Sequence, residues 1–186
     1  MISKLLTWFS QPKAFEAAIL NYLAAIGEKA TKEKVIADMV IYHNLVAVSN
    51  KTLTFFEGTP ATGGAPVGVA NFNRPEGEPM IITRLRFLEG ANATLDATAW
   101  TEGLSTADVM NGTFNVLVNG VIQMRNIPLT ASVEADENPY SGFIELSEPI
   151  VWGGQKTINV VANWRVAPAT AVQNLRCELW GIGLVS

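Results

Sequence analysis

The stretch TFNVLVNGVIQM, residues 113–124, decides the fold class of this 186-residue chain. Apolar residues recur at every second position before Asn119-Gly120, a pair that readily supplies the two positive φ angles of a type I′ turn. The pattern predicts a β-hairpin with strands over 113–118 and 121–125. Since a tight hairpin joins antiparallel strands, this stretch favours an antiparallel sheet.

Short segments of the same kind, separated by turn residues, fill the chain from residue 45 onward. Strands are also predicted over 45–48, 52–57, 67–72, 80–88, 94–100, 142–146, 149–152, 157–165 and 174–184. In the fourth of these, Ile81, Leu85 and Phe87 are expected to share the buried face, with Arg84 and Arg86 on the other. Trp164 and Cys177 are expected in the core because they alternate in phase with apolar neighbours.

So many strands exceed what one open sheet usually holds, which favours two packed sheets. No helical pattern separates the strands, so parallel crossovers have no connecting helices and the sheets are expected to be antiparallel. The predicted fold class is mainly β: an antiparallel two-sheet jelly-roll sandwich over residues 45–186, preceded by a short α-helical N-terminal arm over residues 1–44.

The arm is predicted from a change in composition and period. Of fifteen glycines only Gly27 precedes residue 58. Helical spacing of three and four relates two sets of apolar residues. These are Phe15, Ile19, Tyr22, Leu23 and Ile26, and then Val35, Ile36, Met39 and Val40. The second set is also followed by Ile41 and Val46, which are typical of a strand.

The chain is 48% hydrophobic and 16% charged, whereas an average soluble domain is about 25% charged. Exposed apolar surface usually marks contacts, so the composition favours a subunit of an assembly.

The net charge of -4 argues against sequence-specific binding to nucleic acid. No apolar stretch reaches the roughly 20 clean residues of a membrane helix, so no transmembrane segment is predicted, and no signal peptide is predicted either.

Candidate catalytic residues are few. His43 is the single histidine, and its apolar neighbours favour a packed or capping imidazole over a catalytic base. Carboxylates in predicted loops offer weak alternatives for hydrolysis or calcium binding. They are Glu76 with Glu78, Glu102 with Asp108, and Glu134 with Asp136 and Glu137. The prediction is a non-enzymatic protein with no catalytic residues, no metal site and no cofactor.

Apolar residues of the arm are the candidate assembly contacts. They are Leu5, Leu6, Trp8, Phe9, Phe15, Ile19 and Tyr22. A membrane surface or a shell interior is a further candidate partner for the arm, but the single lysine in the first ten residues, Lys4, gives little attraction to lipid. An alternative function, carbohydrate binding, would use Trp100 and Trp152, which lie near predicted loop ends where an indole is able to stack on a sugar ring.

From Thr52 onward the order of elements resembles the single jelly-roll structural proteins of bacteriophages. The resemblance rests on TLTFFEG (52–58) with Asn71, IITRLRFLEG (81–90), EPIVWGGQKTINVVANW (148–164) and NLRCELWGIGL (174–184). It implies a coat, cement or head-associated protein of the virion that forms symmetric homo-oligomers with copies of itself and other virion proteins. The alternative is a carbohydrate-binding β-sandwich, such as a phage or cell-surface receptor-binding protein.

Overall fold

A computed structural model describes residues 19–21, 23–25, 35–47, 49–59, 65, 72, 78–90, 100–101, 104–132, 142–168 and 174–185. Its strands are β1 (Val35–Val46), β2 (Thr52–Phe55), β3 (Met80–Gly90), β4 (Thr113–Val118), β5 (Val121–Pro128), β6 (Phe143–Trp152), β7 (Ile158–Asn163) and β8 (Asn174–Val185). A short helix, Ala107–Met110, precedes β4, and a 3-10 turn, Leu129–Ser132, follows β5.

The strands form two four-stranded sheets in which every pairing is antiparallel. The first sheet, named sheet A, has the order β1-β8-β3-β6, and the second, sheet B, has the order β2-β7-β4-β5. The pairings are nested along the chain: β4 pairs with β5, β3 with β6, β2 with β7 and β1 with β8. The prediction of a mainly β chain with two antiparallel sheets is confirmed.

One hydrophobic core lies between the two sheets. Phe87 on β3 of sheet A packs against Phe55 on β2 and Phe114 on β4 of sheet B, with ring centroids 5.8 and 5.1 Å apart. All three rings are fully buried. Trp164 and Cys177 belong to the same core, as predicted. The sheets therefore form a β-sandwich-like fold around a shared aromatic centre.

The predicted hairpin is confirmed. Asn119 and Gly120 have φ angles of 49° and 78°, the positive values that a type I′ turn requires. β4 has the predicted bounds, while β5 continues to Pro128, three residues beyond its predicted end.

The prediction of a helix at Val35, Ile36, Met39 and Val40 is wrong, because these residues lie in β1. β1 pairs with β8 along its whole length, from Val35 opposite Val185 to Val46 opposite Asn174. The helical spacing was a coincidence in a stretch rich in β-branched residues, which favour a strand when a partner strand is available. The β body thus begins at Val35, ten residues before the predicted boundary.

Three other predicted strands differ in detail. The segments 142–146 and 149–152 form one strand, β6, because an edge strand accommodates Pro149 without losing a ladder hydrogen bond. β2 ends at Phe55 instead of residue 57, since Phe56 has a φ of 62° that takes the chain out of the extended region. Most of the predicted strand 67–72 lies outside the described residues.

The expected phase of β3 is wrong at Ile81. The pairing of β3 with β8 shifts by one residue between Ile82 and Arg84, so a bulge reverses the alternation there. Met80 and Ile82 therefore join Leu85 and Phe87 in the shared core. Ile81 faces the opposite side of sheet A and belongs to a separate apolar cluster.

That second cluster joins sheet A to the N-terminal part of the chain. Residues 19–21 and 23–25 are helical, and Ile19 and Leu23 pack against Ile81 and Leu184. All four side chains are buried. Part of the outer face of sheet A is thus covered by the chain itself.

Candidate interaction site on the outer face of sheet A

The rest of the outer face of sheet A carries arginines, carboxylates and aromatic rings. In β8, Leu175, Cys177 and Leu179 point into the core, so the residues between them lie on the opposite face. The cross-strand register then brings together a set that we name the arginine face. Its members are Tyr42, Asn44, Arg84, Arg86, Phe143, Glu145, Arg176, Glu178 and Trp180, with Trp100 beside them.

Arg176 lies between two aromatic rings. Its guanidinium carbon is 4.1 Å from the ring centroid of Tyr42 and 4.3 Å from that of Trp100. Its Nε donates a hydrogen bond to Oδ1 of Asn44 at 2.8 Å. Burial lowers the pKa of Arg176, and the nearby carboxylate of Glu178 opposes that shift. Trp100 forms an isolated β-bridge with Gly90. The guanidinium is therefore held in one orientation between β1, β8 and Trp100.

Arg86 and Arg84 share the ring of Phe143 on β6. Their guanidinium carbons are 4.5 and 5.4 Å from its centroid, and Arg86 also lies 5.4 Å from the ring centroid of Trp180. Phe143 and Trp180 meet edge to face at 5.2 Å. Arg84 makes a loose ion pair with Glu145, with 3.7 Å between Nε and Oε1. The two arginines are thus positioned by cation–π contacts on a common platform.

Glu178 is the buried centre of the arginine face. Its Oε2 accepts hydrogen bonds from Nε of Arg86 at 2.7 Å and from Nε1 of Trp180 at 2.8 Å. Its Oε1 lies 3.6 Å from Nη1 of Arg176. One carboxylate therefore holds two guanidiniums and an indole in place, on adjacent strands.

The charge that this face presents is positive. The side chains of Arg84, Arg86 and Arg176 are 35%, 21% and 17% exposed, while Glu178 is 6% exposed and Glu145 is 55% exposed. Three of the six arginines of the chain lie here, on a protein whose net charge is -4. Arginine with tryptophan, tyrosine and phenylalanine is the composition typical of binding hot spots between proteins.

Only part of this site is predictable from the sequence. Arg84 and Arg86 were expected on the wet face of their strand, and Arg176 and Glu178 alternate with the core residues of β8 as predicted. Their association across strands was not predicted, because it depends on the register of β3 against β8. The pattern Arg-X-Glu-X-Trp over 176–180 was the available signal.

Of the two tryptophans proposed for sugar stacking, the structure buries one and covers one face of the other. Trp152 is 1% exposed, and its Nε1 donates a hydrogen bond to the carbonyl oxygen of Lys156 at 2.7 Å. The expectation that Trp152 is exposed is wrong, because its strand position points into the core. Trp100 is half-buried and stacks on Arg176.

Among the proposed assembly contacts, Ile19 packs against its own sheet. Its proposed role as a contact to a neighbouring subunit is therefore wrong, because the side chain is already buried within the chain. The other proposed contacts lie outside the described residues. They are Leu5, Leu6, Trp8, Phe9, Phe15 and Tyr22.

His43 acts as a hydrogen-bond acceptor inside the fold. It lies on β1 instead of a helix end, and its Nδ1 accepts the backbone N–H of Phe56 at 2.8 Å. Burial lowers the pKa of His43 to about 4, so the ring is neutral at pH 7. Cys177 stands opposite it in the register, and burial raises the pKa of that thiol well above its usual value. Nδ1 of His43 is thus already occupied, and the Cys177 thiol is held in its protonated form.

Glu89 is a buried carboxylate that the sequence did not single out. Its Oε1 accepts the backbone N–H groups of Ser105 and Thr106 at 3.1 and 2.9 Å, and its Oε2 accepts their hydroxyls at 3.0 and 2.8 Å. These four bonds attach the segment before the short helix to the end of β3. Glu89 therefore has a structural role.

The outer face of sheet B carries a shallow, open groove of about 410 Å³. It is lined by Asn115, Leu117, Ile122, Arg125, Asn126 and Val161. Asn115 already accepts the backbone N–H of Asn126 at 2.7 Å.

In the part of the chain that the structure describes, no three His, Cys, Asp or Glu side chains come together as metal ligands, and no helix is long and apolar enough to cross a membrane. The acidic loop 134–137 lies outside that part.

No family model matches the chain, and no curated protein or solved structure is significantly similar to it. The description of the chain thus rests on its own structure: two antiparallel β-sheets, one of which has an outer face with aromatic and cationic side chains.

Proposed function

We propose that this chain is a non-enzymatic structural subunit of a virion, a coat, cement or head-associated protein that works by symmetric self-assembly. The observation that carries the proposal is the strand order β1-β8-β3-β6 facing β2-β7-β4-β5. Eight strands that pair in nested fashion and divide into two four-stranded sheets support a jelly roll, a fold that is frequent among viral capsid proteins.

Jelly rolls also serve as lectins and cupins, so the fold alone does not choose among functions. A cupin-like enzyme would need histidine ligands for its metal, whereas the single histidine of this chain accepts a backbone hydrogen bond in the core. A lectin would need an accessible stacking surface, whereas Trp152 is buried and Trp100 has one face against Arg176. The arginine face instead has the composition of a protein-binding surface.

The N-terminal residues complete the proposal. Ile19 and Leu23 pack on the outer face of sheet A. We assign Leu5, Leu6, Trp8 and Phe9 to contacts with neighbouring subunits or with the shell interior. The proposed location is the virion, assembled in the host cytoplasm.

Size-exclusion chromatography with multi-angle light scattering tests the proposal on the full chain. Self-assembly predicts a discrete oligomer whose mass is a multiple of 20.1 kDa and whose population rises with concentration. A monomer at every concentration up to the solubility limit contradicts the proposal. Titration with a panel of glycans, followed by tryptophan fluorescence, separates the alternative, because a sugar on Trp100 would change its emission.

A further inference from the structure

We infer that the arginine face is one half of a head-to-tail contact, in which it binds an acidic surface elsewhere on a second copy of the chain. This inference rests on the proposed self-assembly and adds which surface makes the contact and with what symmetry. The contact would be heterologous, so that each copy offers two different surfaces and growth closes into a ring or continues as an open helical array.

The first support is the preorganisation of two of the three guanidiniums, those of Arg176 and Arg86. Arg176 is held by two rings and by Asn44, and Arg86 is held by Phe143, Trp180 and Glu178. A stacked guanidinium is covered on its face and recognises carboxylates through its N–H edges. Since the side chains are already ordered, a carboxylate of the partner would bind without the usual entropic cost of fixing an arginine.

The second support is charge complementarity between this face and the rest of the same chain. The face holds three arginines and two glutamates, a net charge of +1, so the remainder of a chain of net charge -4 carries -5. Exposed carboxylates outside the face include Glu57, which follows β2, and Glu148 on β6. A second copy therefore carries exposed carboxylates that the three arginines are able to bind.

The same charges disfavour a two-fold contact of this face with itself. Because Glu178 is buried, Glu145 is the accessible carboxylate within the set. A symmetric contact would place six guanidiniums against two accessible carboxylates, and like charges brought together across an interface are costly. Head-to-tail binding avoids this repulsion.

The test compares the charge reversal Arg84→Glu with the matched control Arg165→Glu, which makes the same change at an exposed arginine off the face. Light scattering of the full-length proteins over a concentration series gives the association constant. We expect Arg84→Glu to weaken association at least tenfold and Arg165→Glu to leave it within about twofold. Arg84→Gln gives a second reading with less perturbation, and thermal unfolding confirms that each variant is folded.

Mixing the variant with the wild type then tests the symmetry. In a head-to-tail contact an Arg84→Glu copy still offers its acidic surface, so it should cap wild-type assemblies and reduce their mean mass. A wild-type assembly that keeps its mass in a fivefold excess of the variant overturns head-to-tail binding. If Arg84→Glu and Arg84→Gln assemble like Arg165→Glu, the contact is elsewhere and self-assembly stands; a monomeric wild type overturns both proposals.

Discussion

Nε of Arg86 lies 2.7 Å from Oε2 of Glu178, and this ion pair joins the two central strands of sheet A on the face away from the core. Glu178 also contacts Arg176 and Trp180, so one buried carboxylate pairs with two cations and orients an indole. The stacked arrangement of the arginine face depends on that carboxylate.

We therefore expect Glu178→Gln to destabilise the protein. Removing one partner of a buried pair leaves charge without compensation, which costs about 3–5 kcal/mol when the pair is fully buried. The Arg86 side chain is 21% exposed, so we expect a smaller loss in the free energy of unfolding than for a fully buried pair, about 2 kcal/mol. Urea unfolding measures the change in the free energy of unfolding.

Glu145→Gln is the matched control for that prediction. It makes the same chemical change on the same face, but its ion pair with Arg84 spans 3.7 Å and its side chain is 55% exposed. Exposed pairs contribute about 0–1 kcal/mol. Equal losses in the two variants would show that Glu178 is not the centre of the network.

A second prediction concerns Glu89. Glu89→Ala removes a buried carboxylate and leaves four donors of the exposed Ser105 and the half-buried Thr106 without that acceptor. Unsatisfied buried groups cost about 1–3 kcal/mol each when no water replaces the partner. We expect a loss of about 3 kcal/mol in the free energy of unfolding, together with faster amide hydrogen exchange in 105–110.

The exposed Glu57→Ala provides the comparison, with an expected change below about 0.5 kcal/mol. If Glu89→Ala proves as mild as Glu57→Ala, water reaches the donors and the carboxylate does not hold the segment in place.

Local features of the fold were predictable from the sequence, whereas features that depend on distant residues were not. The hairpin at Asn119-Gly120 was predictable because its signal is contained within twelve residues. β1 was mistaken for a helix because the residues that make it a strand, those of β8, lie more than a hundred positions away. The phase of Ile81 failed for a similar reason, since a bulge is specified by the partner strands and not by alternation in β3 itself.

The candidate site follows the same rule. Which side of β8 carries Arg176 and Glu178 was apparent from alternation, but their neighbours depend on a four-strand register. Glu89 gave no signal, since its donors Ser105 and Thr106 are ordinary loop residues. In β8 the direction of the side chains was therefore predictable, whereas their partners on other strands were not.

Two glycines of β8 give a third prediction. A Cβ at Gly181 would collide with the backbone carbonyl of Ile81, next to the bulge, whereas a Cβ at Gly183 would meet the flexible thioether of Met39. A methionine is able to move and a paired backbone is not. We expect Gly181→Ala to cost more than about 3 kcal/mol and Gly183→Ala about 1 kcal/mol, because overpacking is costly where the neighbour is fixed.

Thermal unfolding of the two alanine variants checks this order directly. The substitutions are chemically identical, lie in the same strand and differ in the atom that the new methyl group meets. A larger loss for Gly183→Ala than for Gly181→Ala would mean that the bulge at 82–84 yields more easily than the side chain of Met39.

The last prediction concerns pH. The pKa of His43 is about 4 in the folded protein and about 6.5 in the unfolded chain, because burial disfavours the charged ring. The unfolded state therefore binds more protons between these values. Stability from the neutral ring is complete above pH 6.5 and is lost as pH falls toward 4, by about 3 kcal/mol in total. Protonation would also abolish the bond from the N–H of Phe56 to Nδ1.

Urea unfolding at pH values from 7 to 4 measures this loss, and His43→Asn separates it from the titration of carboxylates. An asparagine side-chain oxygen is able to accept the Phe56 N–H but does not titrate in this range. We expect the variant to be less stable than the wild type at pH 7, because it leaves space beside Phe55 and Phe72, but to lose less stability on acidification. Since His43 is the single histidine of the chain, parallel pH profiles for the two proteins would rule out its titration as the cause.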